Sequence, residues 1–299
     1  MRFQPTLFTR FRGCITVCGI RSFFPSIENR TSLPDSVIAG AIARAENLWF
    51  PGLAQKLVHS LYPSSERRDH YGTARWLRKD LTVDREELAS FILKGDRIVV
   101  EQLTLSDQAR FGDVGFASSF TVEDTETFKS ALAISTELPS LSKTLSVLVR
   151  SVHLLKAQRC YDVSYSHPEL PLSIFVSVPH CEEPDAAVRL FESIVHEAMH
   201  LQLSLIEREV PLVAIEGSTY SPWKQTARPG QGVLHGLYVF AVIHQALEQL
   251  SRSDRRVRGY AANRLSEIRS EIEMLEDIQA LLTPAGRLLQ LRLRNAVGR

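Results

Sequence analysis

The segment PDAAVRLFESIVHEAMHLQLSLIER, residues 184–208, is the most informative stretch of this 299-residue chain. Its apolar residues recur at helical spacing and are frequent enough to make the predicted helix largely hydrophobic. Pro184 and Asp185 favour a helix start, because proline needs no donor in the first turn and an acid there interacts favourably with the helix dipole. We expect one long helix, running to about Arg208, with most of its side chains buried.

Three polar side chains interrupt this apolar helix in the pattern His-Glu-x-x-His. His196 and His200 are four residues apart, so they share one face with their Cβ atoms about 5–6 Å apart. That spacing lets both imidazoles bind one cation at about 2.0–2.1 Å. Glu197 lies roughly 100° around the helix from His196, where it can serve as a base or hydrogen-bond acceptor beside the metal. Two core histidines with ordinary hydrogen-bond partners remain the alternative.

A metal site needs at least one further ligand, and His235 is the candidate. It lies in the first turn of the next predicted helix, residues 231–251. Gly232 and Gly236, on either side of it, would allow that helix to pack closely against the metal helix. His244 lies nine residues further on, about 900° of rotation away, and faces the opposite side. The sequence therefore predicts a metal site between two packed helices.

The loop before His235 carries an aromatic ring and two cations, Trp223, Lys224 and Arg228. The planar fork of arginine suits a carboxylate, so this loop could clamp a small dicarboxylate that chelates the metal. A proline-rich surface loop with solvated cations is the alternative.

Composition narrows the classes of function. Lysine plus arginine number 35 and aspartate plus glutamate 34, a formal net charge of +1. A chain so nearly neutral has no overall field that attracts nucleic acid or anionic lipid. No apolar run approaches the roughly 18 residues that a membrane span needs. We interpret the four cysteines as the free thiols of a cytoplasmic protein. We also expect no nucleic-acid or membrane partner.

The remaining periodicity is mostly helical, which predicts a mainly α protein with a small β-sheet (α+β). Further helices are predicted at residues 35–61, 71–80, 84–93, 125–134, 139–158, 255–282 and after Pro284, and strands at 159–166 and 172–178. We divide the chain into a mostly helical half, residues 1–158, and a catalytic half, residues 159–299, although one continuous domain fits equally well. The amphipathic tail could pair with a second copy in a homodimer.

Several of these residues carry a family resemblance. FESIVHEAMHLQL (residues 191–203) resembles the metal helix of the HExxH-type, α-ketoglutarate-dependent peptide β-hydroxylases. Ser221-Pro222-Trp223, Arg228-Pro229 and Leu234-His235-Gly236 are similar to the segments that follow it there, in the same order. The similarity covers residues 163–250. That family hydroxylates side chains of ribosomally made, post-translationally modified peptides (RiPPs) at the β-carbon.

The resemblance implies a site with Fe(II), α-ketoglutarate as cosubstrate and O2. Non-haem iron oxygenases hold the metal from one side and leave positions open for cosubstrate and O2. The implied metal ligands are His196, His200 and His235, and the implied catalytic residue is Glu197. The implied partner of the far carboxylate of α-ketoglutarate is Arg228 first, then Lys224 or Tyr220. Trp223 is implied to contact the RiPP precursor peptide.

Two other functions stay open at this point. A zinc metallopeptidase would use the same two histidines for Zn2+, with Glu197 as general base for a bound water. A non-catalytic helical binding protein with a structural metal is the third reading, although structural zinc sites use four protein ligands, often cysteines.

Overall fold

A computed structural model describes residues 33–61, 85–109, 115–167 and 170–298 of the chain. Helices around one small mixed sheet dominate these ranges, so the predicted α+β class is confirmed. The helix predicted at residues 71–80 lies outside the described residues. No helix within the described ranges is both long enough and apolar enough to span a membrane.

The main sheet has five strands in the order β1-β2-β3-β5-β4. They are β1 (Arg85–Leu93), β2 (Asp96–Leu103), β3 (Ser151–Leu155), β4 (Ser164–Tyr165) and β5 (Ser173–Ser177). β1 and β2 form an antiparallel hairpin, β3 runs parallel to both β2 and β5, and β4 is an antiparallel edge strand. Since β1, β2 and β3 precede residue 158 and the other two follow it, both halves of the sequence contribute to one sheet.

Two helix predictions are wrong because tertiary pairing overrides local preference. Residues 84–93 are rich in Glu, Leu and Ala, which favour a helix, but the described part, Arg85–Leu93, forms strand β1. Lys94 and Gly95 both adopt positive φ in the turn that follows, so β1 folds back on β2 and its β-branched residues. The helix predicted at 139–158 ends at Leu148, and the chain continues as β3, where every residue is buried between β2 and β5.

The helices of the described ranges are α1 (Asp35–Arg44), α2 (Leu53–Leu61), α3 (Leu105–Gln108), α4 (Val122–Thr136), α5 (Pro139–Leu148), α6 (Ala186–Glu209), α7 (Gly230–Ser253), α8 (Arg255–Glu273) and α9 (Pro284–Val297). The helix predicted at 35–61 is therefore two helices, separated where Phe50 and Gly52 adopt positive φ. Helices α5 and α6 pack against the main sheet, and the other helices pack mainly on one another. A short antiparallel hairpin, β6 (Ser218–Ser221) and β7 (Thr226–Pro229), lies between α6 and α7.

Helix α6 is the centre of the fold. Every residue from Val188 to Leu203 is buried, because β5 and the helices α4, α5 and α7 pack around it. A helix enclosed in this way has no solvent-facing side on which to place polar groups. The polar side chains of α6 therefore need partners inside the protein.

Candidate metal centre

The three predicted ligand histidines meet at the interface of α6 and α7. His196 and His200 project from α6, His235 projects from the second turn of α7, and all three are buried. Gly236 contributes differently from the expectation of close helix packing. A Cβ atom there would lie 2.7 Å from the ring of Trp223, so this glycine makes room for the tryptophan of the β6–β7 hairpin.

His196 and His200 have the geometry of two ligands of one metal. Their Nε2 atoms are 3.2 Å apart, and their ring planes are inclined by 65°. Two imidazole nitrogens bound to one ion at about 2.0–2.1 Å lie about 3 Å from each other. The pair therefore fits a metal ion without rearrangement of the helix.

His235 contacts the other side of the His200 ring. Its Nδ1 atom is 3.1 Å from Nδ1 of His200, and its Nε2 atom is 3.0 Å from Oε2 of Glu207. Within the described ranges, no group of three or more His, Cys, Asp or Glu side chains is arranged to hold one metal ion. The structure thus brings all three histidines together as two contacts on opposite nitrogens of His200: Nε2 faces His196 and Nδ1 faces His235.

Glu197 lies between the histidine pair and the sheet. Its Oε1 atom accepts a hydrogen bond from Oγ of Ser164 on β4 at 2.7 Å and is 4.0 Å from Nε2 of His196. Both carboxylate and hydroxyl are buried. Ser164 therefore fixes the position of Glu197 beside the pair.

Burial keeps both histidines of the pair neutral. It lowers the pKa of His196, even though the carboxylates of Glu197 and Glu192 act in the opposite direction. It lowers the pKa of His200 further, and the neighbouring His196, His235 and Lys224 add to the effect. A neutral imidazole carries the lone pair that a metal ligand must supply.

The β6–β7 hairpin brings an aromatic ring and a cation to the neighbourhood of the pair. Trp223 stacks on Phe240, with centroids 5.0 Å apart, and Phe240 meets the ring of His196 at 5.4 Å. The charge of Lys224 acts on both His196 and His200. Among the described residues no carboxylate forms an ion pair with this lysine.

The other two predicted cosubstrate residues are on the strands of the hairpin. Tyr220 is 41% exposed. Arg228 stands opposite Thr219 in the hairpin, and it is not among the charges that shift the pKa of either histidine of the pair. Lys224 is therefore the hairpin cation with the clearest electrostatic link to the site.

A buried ion network on α6 lies next to the centre. Oε2 of Glu192 accepts a hydrogen bond from the Tyr260 hydroxyl at 2.6 Å, and Oε1 accepts one from Nε of Arg264 at 2.9 Å. The Arg264 guanidinium lies 5.3 Å above the Phe240 ring. This cation is neutralised by its own carboxylates, including Glu267 at 3.0 Å, so it is not available to a ligand.

Sequence reasoning missed Glu207, Ser164 and Glu192. Glu207 follows His200 by seven residues, two helical turns, so the helical period could have placed it on the same face. Glu192 precedes His196 by four residues, so the same spacing could have placed it on the same face of the helix. Ser164 lies on a two-residue strand 33 residues from its partner Glu197, and no sequence pattern indicated the contact.

Comparison with known proteins gives no family assignment. No protein-family model matches the chain, and no curated protein matches it significantly. The similarity of residues 163–250 to the peptide β-hydroxylases therefore stays a prediction, and the function has to be argued from the site.

Proposed function

We propose that this chain is an Fe(II)- and α-ketoglutarate-dependent oxygenase that hydroxylates the β-carbon of a side chain in a ribosomal peptide. One observation carries the proposal: two buried, neutral histidines face each other with their Nε2 atoms 3.2 Å apart, beside a lysine without a carboxylate partner among the described residues. Neutral nitrogens suit a divalent metal, and the free cation suits an anionic cosubstrate.

The residues divide the work as follows. His196 and His200 would hold the metal from one side, with His235 as the predicted third ligand, and would leave positions open for cosubstrate and O2. Bound Fe(II), together with α-ketoglutarate and O2, supplies the oxidation of a C–H bond. Lys224 pairs with a carboxylate of the cosubstrate, while the Trp223 and Phe240 rings keep bulk water from the pair. Low water content strengthens both the metal–ligand and the lysine–carboxylate interactions.

Lys224 replaces Arg228 as the first candidate partner of α-ketoglutarate. Its charge is among the largest influences on the pKa of both histidines, whereas Tyr220 is 41% exposed and Arg228 is not among those influences. The peptide substrate is inferred from the sequence resemblance. The exposed part of the β6–β7 hairpin around Tyr220 is the nearest surface for such a peptide to contact.

A zinc metallopeptidase is the second candidate, and Glu197 is the observation in its favour. This carboxylate is 4.0 Å from His196 Nε2, close enough to act on a water held by the metal. The peptidase mechanism does not use Lys224, and one oxygen of Glu197 already accepts a hydrogen bond from Ser164. These two points favour the oxygenase.

The test is an anaerobic titration of the apo-protein with Fe(II) and then α-ketoglutarate, following the weak visible charge-transfer band of such chelates. We expect a band in the wild type and none in His200→Ala. Lys224→Gln should weaken α-ketoglutarate binding by about 10–100-fold, because a charge-assisted hydrogen bond contributes about 1.5–3 kcal/mol. The matched control Arg228→Gln should change it by less than about threefold.

Two results would overturn the proposal. One is the absence of a band together with tight Zn2+ binding and peptide hydrolysis that Glu197→Gln abolishes, which would establish the peptidase. The other is an undiminished band in His200→Ala, which would place the metal elsewhere.

A further inference from the structure

The β6–β7 hairpin contacts α7 on one side and the end of α8 on the other. On the α7 side, the Trp223 ring stacks on Phe240 and occupies the space left by Gly236. Just past the C-terminal end of α8, Oε2 of Glu276 accepts a hydrogen bond from Oγ1 of Thr219 at 2.6 Å. The position of the hairpin therefore depends on contacts with both helices.

A buried donor and a buried acceptor without other partners lie near each other at the α8 side. Nε1 of Trp223 and Oε2 of Glu271 on α8 are both buried, and neither has a hydrogen-bond partner of normal geometry among the described residues. Burial raises the pKa of Glu271, while the Arg264 guanidinium and the Trp223 indole N–H act in the opposite direction. Since each atom would otherwise lose its hydration without compensation, a hydrogen bond between them is favoured.

The groups around Phe240 independently bring Glu271 and Trp223 together. The Arg264 guanidinium lies 5.3 Å from the centroid of the Phe240 ring, and its Nη1 atom is 3.9 Å from Oε2 of Glu271. Trp223 stacks on the same Phe240 ring, with centroids 5.0 Å apart. The carboxylate and the indole thus belong to one small cluster at the junction of the hairpin, α7 and α8.

The ion network on α6 and α8 does not need Glu271 as a partner for Arg264. Nε and Nη1 of Arg264 already contact Glu192 at 2.9 Å and Glu267 at 3.0 Å. Glu271 is 3.9 Å away, beyond hydrogen-bonding distance, and its side chain is only 27% exposed. A largely buried carboxylate requires a hydrogen-bond donor, and among the described residues the Trp223 indole is the nearby donor without another acceptor.

We propose that Glu271 is a positioning residue: its carboxylate accepts the indole N–H of Trp223 and thereby fixes the tip of the β6–β7 hairpin against α7. Lys224 directly follows Trp223, and its charge acts on both His196 and His200. A fixed Trp223 therefore determines the position of Lys224 beside the histidine pair. The contact itself requires no metal, whereas its effect on α-ketoglutarate binding rests on the proposed function.

The first test follows the Trp223 indole N–H by 1H–15N correlation NMR of the full, metal-free chain. The chain has three tryptophans, and Trp223→Phe assigns the signal. We expect the signal to move upfield in Glu271→Leu, because the proton loses its acceptor, and to stay near its wild-type position in Glu271→Gln, whose amide oxygen can still accept. Glu273→Leu is the matched control, since Glu273 is exposed on the same helix, and it should leave the signal unchanged.

Glu271→Asp provides the same information if Glu271→Leu does not fold. Aspartate keeps the negative charge beside Arg264 but withdraws the carboxylate by one methylene group, so the indole signal should again move upfield. A signal that stays at its wild-type position in the folded Leu or Asp variant would show that the indole does not bond to Glu271, and would overturn the inference.

The second test compares affinities for α-ketoglutarate and for metal in the full chain. With Fe(II) bound and O2 excluded, Glu271→Leu should bind α-ketoglutarate about 3–10-fold more weakly, the effect of losing one hydrogen bond. Its affinity for Zn2+ should stay within about twofold of the wild type, because Glu271 does not contact the histidines. The double variant Trp223→Phe/Glu271→Leu should bind α-ketoglutarate no more weakly than Trp223→Phe alone, because both changes remove the same contact. Additive losses, or an equal loss of Zn2+ affinity, would indicate a general structural effect and refute the positioning role.

The outcomes separate this inference from the proposed function. A wild-type chain that binds no α-ketoglutarate but shows the expected indole signals would overturn the proposed function and leave Glu271 as the partner of Trp223. Normal α-ketoglutarate binding together with an unmoved indole signal in Glu271→Leu would refute the role of Glu271 and leave the proposed function standing.

Discussion

The buried polar groups in the two halves of helix α6 have different kinds of partner. In the first half, Arg189 donates to Asp162 at 2.7 and 2.8 Å and to Glu183 at 2.8 Å, and Glu192 is matched by Tyr260 and Arg264. In the second half, His196 and His200 are neutral and turn nitrogens toward each other. The first half is a closed set of opposite charges, and the second is a pair of like groups.

This difference indicates which half is available for function. In this network both guanidinium groups are already engaged by carboxylates, and its members depend on one another for stability. Two imidazoles that face each other can share one proton, or both can donate lone pairs to one cation. The second arrangement is what a metal site requires, so the chemistry is expected in the half that carries the histidine pair.

The largest effect is expected in the ion network. Arg264→Met should lower the free energy of unfolding by about 3–5 kcal/mol, because Glu192 would stay buried without its guanidinium partner. Urea denaturation followed by circular dichroism measures it. The double variant Arg264→Met/Glu192→Leu is the control and should recover part of the loss, since the buried Glu192 charge is gone while the more exposed Glu267 and Glu271 still lose their partner. A loss below about 1 kcal/mol in the single variant would show that the network is not closed.

His244 provides a second test, since it is a buried histidine whose partner is a cation. It accepts a hydrogen bond from Nε of Arg269 at 3.1 Å, and burial, with Arg269, lowers its pKa to about 4. The unfolded chain binds a proton near pH 6.5, so stability is full above that pH and falls between about pH 6.5 and 4. His244→Gln should remove about 2 kcal/mol of this decline.

The measurement for His244 is urea denaturation at several pH values. Gln can still accept from Arg269 but does not titrate, so wild type and variant should agree at pH 7.5 and diverge below pH 6. Equal slopes would mean that His244 has the same pKa in the folded and the unfolded state. In that case burial alone would not explain why the pair at His196 and His200 stays neutral.

Gly236 tests whether the hairpin is fixed over the second half of α6. Gly236→Ala should cost about 1–2 kcal/mol, because the new Cβ would lie 2.7 Å from the rigid Trp223 ring and displace it from Phe240. Weaker α-ketoglutarate binding should accompany the loss, since Lys224 follows Trp223. Gly259→Ala on α8 is the matched control: nothing lies within 4 Å of its Cβ position, and it should be neutral or slightly stabilising.

Local features of the sequence were enough to predict the centre of the fold. The apolar period and the helix-start residues predicted α6, and the structure begins and ends it at Ala186 and Glu209. The four-residue spacing also placed His196 and His200 on one face, where the structure has them. These properties depend on neighbours within a few helical turns, so the sequence alone is sufficient to predict them.

Features that depend on distant residues could not be predicted in the same way. Strand β1 has the composition of a helix, and only its pairing with β2 makes it a strand. Arg264 contacts Glu192 across 72 residues, and no periodicity connects them. The orientation of the His235 ring is set by Glu207, whose role depends on how α6 and α7 dock.

The smallest effect on stability, and the most informative one, is expected at the histidine pair. The double variant His196→Leu/His200→Leu should lose metal binding, yet the metal-free protein should change its free energy of unfolding by less than about 1 kcal/mol. Leucine fills a similar volume, and replacing both facing polar groups by apolar ones removes a desolvation cost along with the contact. The unpaired Nδ1 atom of His235 is the main opposing cost. Urea denaturation without metal measures the balance. A loss above about 3 kcal/mol would show that the pair is an ordinary hydrogen-bonded part of the core, whereas a near-zero change combined with lost metal binding would show that these side chains are kept for binding and not for folding.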